Sequence, residues 1–175
     1  MAQKHIEPEF SRVFAVDRLG SSPITEVIRS NAGECAALAK RLRVVALEQL
    51  SASVTLQRTL GGLVHVSGRI EADVVQNCVI TLADFPSHVE DGFTVDFGDA
   101  PPASEQEINI DVDYDPPEPI EGGAIDIGEL VTQYLSLALD PYPRSPGAAL
   151  DPEWVESEAV ERSPFAVLKK LKAPN

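Results

Sequence analysis

The residues with the best spacing for chemistry are three aspartates, Asp111, Asp113 and Asp115. They stand at i, i+2 and i+4, as the first oxygen ligands of a calcium loop do. The rest of that motif is missing. Pro116 stands where the loop needs its turn glycine, and Gly122 where it needs its bidentate glutamate. A metal-assisted hydrolase built on this run is therefore the weakest functional reading. The aspartates read better as the solvated face of an edge strand, where charge also discourages aggregation. His5, His65 and His88 are scattered, and none has an i, i+4 partner. No serine lies in a G-x-S-x-G elbow. Gly61-Gly62 lacks the length and the Lys-Ser/Thr of a phosphate loop. With no nucleophile, base and oxyanion site assembled, the sequence predicts a non-enzyme that needs no metal and no cofactor.

Charge gives the positive signal. The formal net charge is -14, and between Ile70 and Pro143 there is no Lys or Arg, while 17 of the 28 acidic residues lie there. Such a field repels phosphate backbones, which are bound by Lys and Arg that displace counterions. It attracts basic proteins, and salt weakens that attraction. Cys35 and Cys78 form no C-x-x-C pair and read as buried thiols rather than a disulfide. No apolar run approaches the roughly 20 residues of a membrane helix, and the start has no apolar signal segment. A cytosolic protein is expected.

The elements that would position these residues follow from periodicity. The stretch Leu63–Leu82 alternates through its first half: Val64, Val66, Ile70, Ala72 and Val74 share one parity, and His65, Ser67, Arg69, Glu71 and Asp73 the other. This predicts a strand with one dry and one wet face. The alternation breaks at Val74-Val75-Gln76-Asn77, where a bulge or bend is expected. Leu50–Leu60 alternates likewise. A two-residue loop to the next strand would set Gln57 opposite Val66 and mix the faces, so a three-residue loop with a left-handed glycine is predicted. Further strands are predicted over Phe10–Val16, Ile24–Ile28, His88–Phe97 (Val89, Phe93, Val95 and Phe97 inward) and Glu107–Tyr114. In the last of these, Glu107, Asn109, Asp111 and Asp113 face out. Asn31 and Glu34 have capping-box spacing before a helix over Ala32–Leu42. Lys40, Arg41 and Arg43 at its end complement the helix dipole; the alternative is a small RNA contact. Asp126 caps a second helix to about residue 139, with Glu129 at the capping-box position and Pro141 and Pro143 beyond its end. From Arg144 a Pro-, Ser- and Glu-rich linker leads to Ser163–Lys172, SPFAVLKKLK. There Phe165, Leu168 and Leu171 recur every three residues beside Lys169, Lys170 and Lys172. A helix this short must dock to persist, on its own domain or on a partner.

Three segments in order resemble the YceD family, whose members are described as large ribosomal RNA subunit accumulation proteins. They are VSGRIEADVVQNCVITL (Val66–Leu82), AIDIGELVTQYLSLALDPYP (Ala124–Pro143) and the tail SPFAVLKKLK. The resemblance implies a bacterial cytosolic factor acting in synthesis, processing or stability of large-subunit ribosomal RNA. It carries over no catalytic residue. Many members have a cysteine pair around the position of Cys78 and some have further cysteines after the helix. Here Val75 stands for the first of the pair and none follows Pro143, so a four-ligand zinc site is not expected. Cys78 reads as a small buried apolar group.

The resulting expectation is an α+β domain, residues 1–143, with a twisted antiparallel sheet, open or closing toward a barrel, covered by two helices. A flexible C-terminal tail, residues 144–175, follows. The function expected is ribosome assembly without catalysis, by holding a basic ribosomal protein or a pre-ribosomal large subunit, with direct RNA contact left open. Glu107, Asp111, Asp113 and Asp115 are the partner-binding candidates of the acidic middle, and Phe165, Leu168, Lys169 and Lys170 those of the tail. The alternative is a ribosome-independent acidic interaction module with the tail as docking peptide.

Overall fold

The computed structural model describes residues 8–98 and 116–150. The predicted strand Glu107–Tyr114 and the tail segment Ser163–Lys172 lie outside them, and with them all eight partner-binding candidates.

The chain begins with a short strand, β1 (Val13–Ala15), followed by β2 (Ile24–Arg29) and helix α1 (Ala32–Leu42). Asn31 accepts from the N–H groups of Gly33 and Glu34, and Glu34 reaches back to the Asn31 N–H, so the capping box forms. Three long strands follow, β3 (Ala46–Arg58), β4 (Val64–Asn77) and β5 (Asp84–Gly98). Two short strands, β6 (Glu118–Pro119) and β7 (Ala124–Asp126), lead into helix α2 (Ile127–Ala138). The main sheet has the order β2-β3-β4-β5-β6, and β1 pairs with β7 apart from it. Three of the four strand pairings are antiparallel, whereas β6 runs parallel to β5, so the sheet is mixed. It stays open among the described residues, with β2 and β6 at its two ends.

The β3–β4 hairpin has the predicted loop. Arg58 pairs with Val64 and Leu56 with Val66, which keeps dry residues opposite dry ones. Thr59 N–H donates to the Leu63 carbonyl, and Gly62 takes φ +82. The expected irregularity of β4 falls elsewhere. β4 pairs with β5 without interruption from Val64↔Phe97 to Asn77↔Asp84. The bulge is in β3, between Leu47 and Gln49, opposite Val74 and Asp73. The extra residue, Glu48, lets odd-numbered Leu47 and even-numbered Leu50 both face inward. In β4 the alternation continues: Gln76 takes the inward place, where it accepts from the Ser87 hydroxyl at 3.0 Å and donates to the Asp140 carbonyl at 3.4 Å. A polar residue at an inward position is tolerated because its amide is bonded.

One core lies between the dry face of the sheet and the two helices. Leu50, Val54 and Leu56 of β3, and Val64, Val66 and Ile70 of β4, meet Leu38 of α1 and Val131 and Leu135 of α2 there. Each fully buried side chain of this size contributes about 1.5–3 kcal/mol. Opposite Phe93 the strand β4 has Gly68, and a Cβ there would overlap the Phe93 ring. That ring stacks on Tyr134 of α2, with centroids 4.4 Å apart and planes at 11°. Asp126 caps α2 through the N–H groups of Gly128 and Glu129, and also accepts from the Ser11 hydroxyl and the Arg12 N–H. Glu129 forms no capping box; its carboxylate pairs with Arg41 instead.

Candidate functional site

Because both helices pack on the dry face, the other face of β3, β4 and β5 is left to solvent among the described residues. Parity decides what it displays. From β3 come Ser51, Ser53, Thr55 and Gln57; from β4 come His65, Ser67, Arg69, Glu71, Asp73 and Val75; from β5 come Asp84, His88, Glu90, Thr94 and Asp96. The face is hydroxyl-rich at β3 and acidic across β4 and β5. Five carboxylates are spread along it, Glu71, Asp73, Asp84, Glu90 and Asp96, with Arg69 as the one Lys or Arg contributed by those two strands.

Two histidines are held in this face by cross-strand partners. His65 meets Asp96 at 2.7 Å, and His88 meets Asp73 at 2.6 Å and Glu90 at 3.2 Å. The hydrogen bond to Asp73, then that to Glu90, raises the His88 pKa. Glu71 stands directly opposite Glu90 in the β4–β5 register. Like charges facing each other across strands are destabilising, an effect that the His88 bond to Glu90 offsets in part.

Two arginines that precede β3, Arg41 and Arg12, are committed elsewhere. Arg41 bridges Glu129 at 2.7 Å and Glu9 at 2.9 Å, and Glu129 raises its pKa. Arg41 lies with Lys40 in the last turn of α1, as the dipole reading expects, and its guanidinium also joins α1 to α2. Arg12 forks onto Glu34 at 2.8 and 3.0 Å and holds the Glu34 carboxyl below its ordinary range.

Cys78 is fully buried, but it is not merely apolar filling. Its sulfur accepts the N–H of Ser145 at 3.3 Å and of Thr81 at 3.5 Å. These bonds, Ser145 first, pull the thiol down to about 6 against the opposing push of burial. Both cysteines are free and buried. Among the described residues no group of three or more His, Cys, Asp or Glu is arranged to hold a metal ion, and no helix is long and apolar enough to cross a membrane.

Glu107, Asp111, Asp113 and Asp115 thus have no described position, and neither do Phe165, Leu168, Lys169 and Lys170. The sequence reading missed the five carboxylates of the sheet face as a group. Parity already placed Glu71 and Asp73 on the wet side, and the inward set Val89, Phe93 and Val95 placed Glu90 and Asp96 there. What it lacked was the β4–β5 register, set by the turn over residues 78–83.

An α+β protein whose described sheet carries an acidic surface is what the fold and this face define. Residues 66–172 match the family model described as large ribosomal RNA subunit accumulation protein YceD, and the chain belongs to that family. No curated protein and no solved structure matches the chain.

Proposed function

We propose that this chain acts without catalysis in large ribosomal subunit assembly, by holding a basic ribosomal protein, or a basic surface of a pre-ribosomal particle, against the acidic face of β4 and β5. Family membership supports the setting. The observation that carries the mode of action is the Glu71–Glu90 cross-strand pair within a face of five carboxylates. A like-charge pair retained at a cost to stability makes sense where a cation is to be received. Glu107, Asp111, Asp113 and Asp115 extend the acidic set, and Phe165, Leu168, Lys169 and Lys170 form a second contact in an appended tail. The setting is cytoplasmic in this reading.

Two measurements test it. Depletion of the protein should lower large-subunit ribosomal RNA and large-subunit particles in gradients; unchanged levels would discredit the ribosomal reading and leave a ribosome-independent module. The double variant E71Q/E90Q should release the partner retained at low salt, by about tenfold in affinity if each charge contributes somewhat under 1 kcal/mol. Retention equal to that of the unaltered chain would clear the face of this role.

A further inference from the structure

Among the described residues the outer edge of β5 is open over most of its length. In an antiparallel pair, alternate residues exchange both backbone bonds with the partner, and those between point theirs the other way. Cys78 N–H donates to the Ala83 carbonyl at 2.9 Å. With the β4–β5 register unbroken, the odd-numbered residues of β5 therefore bond to β4 and the even-numbered ones point outward. The bond from Ile120 N–H to the Gly98 carbonyl, at 3.2 Å, agrees. Pro86, with no N–H to give, stands in the outward series, where an edge tolerates it. Among the described residues, β6 covers only Phe97 and Gly98. The Gly92 N–H turns back onto the Asp91 carboxylate at 2.8 Å. The outward backbone groups of His88, Glu90, Thr94 and Asp96 have no strand beside them among the described residues.

The side chains of the edge determine which strand fits. On the open face they are His88, Glu90, Thr94 and Asp96; on the covered face Phe85, Val89 and Val95 are half-buried. β5 contains no Lys or Arg. A strand laid alongside would place alternate side chains beside Glu90 and Asp96 on one face, and beside half-buried apolar groups and the exposed Asp91 on the other. Neighbouring opposite charges across strands stabilise and like charges destabilise. We propose that the outer edge of β5 is a β-addition site for an extended partner segment with Lys or Arg at every second position and apolar residues between. This rests on the acidic-face reading above and adds to it a backbone register. The chain's own alternating run, Glu107–Tyr114, lies outside the described residues and is acidic at alternate positions, whereas Lys or Arg at those positions complements Glu90 and Asp96.

The test uses the full chain with two end-blocked octapeptides, alternating Lys–Val and alternating Glu–Val, and follows backbone hydrogen exchange by NMR. In the free protein the N–H groups of His88, Glu90, Thr94 and Asp96 should exchange faster than those of Val89 and Val95. Lys–Val peptide should slow the four outward amides at least about tenfold, and Glu–Val should not. T94P removes one outward N–H and leaves every charge in place; it should weaken Lys–Val binding about tenfold, whereas T94A should bind as the unaltered chain does. Outward amides already protected before peptide is added would mean that the chain's own segment holds the edge, and would overturn the proposal. Lys–Val binding that E71Q/E90Q weakens but T94P does not, with the outward amides left unprotected, would overturn the edge and keep the acidic face. Binding of neither peptide at low salt would overturn both.

Discussion

His88 reports on the acidic face directly. Its ring lies between Asp73 and Glu90, and the Asp73 bond is the larger cause of its raised pKa. A raised folded-state pKa means that the protonated ring is favoured by folding. The stabilisation is therefore full below the unfolded value of about 6.5 and is lost as pH rises through the folded value. An NMR titration should give a His88 midpoint above that reference, and D73N should bring it back; a midpoint indifferent to D73N would remove Asp73 as the cause. Cys78 is the second informative residue. Its sulfur is the acceptor for the Ser145 and Thr81 N–H groups, which fastens the turn after β4 to the chain beyond Pro143. C78A would leave both donors without that acceptor and should cost about 1–3 kcal/mol in urea unfolding. C78S, which keeps an acceptor, should cost less. Equal losses in the two variants would mean that packing alone is at work.

At the scale of elements, the joint between sheet and α2 depends on a missing side chain. Gly68 leaves the space that the Phe93 ring occupies on its way to Tyr134. G68A forces the ring off that stack and should destabilise the fold by about 1–3 kcal/mol. A further F93L substitution, which vacates the space, should recover part of the loss in thermal melts; no recovery would locate the strain in the backbone. Elements of this kind were legible in the sequence to different depths. Helix α1 was readable to its ends because its signal is local: Asn31 and Glu34 close a box three residues apart. The β3–β4 loop was readable because face parity excludes the two-residue alternative. The sequence pattern marks an irregularity at the level of Val74, but the extra residue belongs to the neighbouring strand β3. A phase change in hydrophobic pattern does not say whether a strand or its neighbour holds the extra residue, and here Glu48 does. Gln76 read as a break in pattern because its inward place depends on Ser87 and Asp140, both distant in sequence. Spacing places Glu129 at its own helix end, yet its carboxylate pairs with Arg41 from α1 in place of the local N–H. The acidic face needed the same kind of long-range information, namely the pairing of Glu71 with Glu90.

Taken whole, the molecule separates its charges. The cations Arg12 and Arg41 are forked onto Glu34 and Glu129, while Glu71 of β4 and Glu90 of β5 face one another on the described sheet face. The two arrangements have opposite effects on folding. Arg41 ties two helices, whereas the Glu71–Glu90 pair repels across a strand boundary and should cost a few tenths to about 1 kcal/mol. Neutralising it should therefore raise stability while it lowers partner capture. E71Q/E90Q should melt higher than the unaltered chain at low ionic strength, and the gain should shrink at about 1 M salt, where charges more than about 3 Å apart are screened. Over the same salt range the unaltered chain should lose its partner. A surface kept only for solubility would show neither the gain in melting temperature nor the loss of binding, because dispersed carboxylates do not stand in register. If the double variant melts no higher at low salt, the repulsion is already relieved by Arg69 or His88 within the face. The pair would then not be strained, and the argument that it persists for a cationic partner would lose its footing.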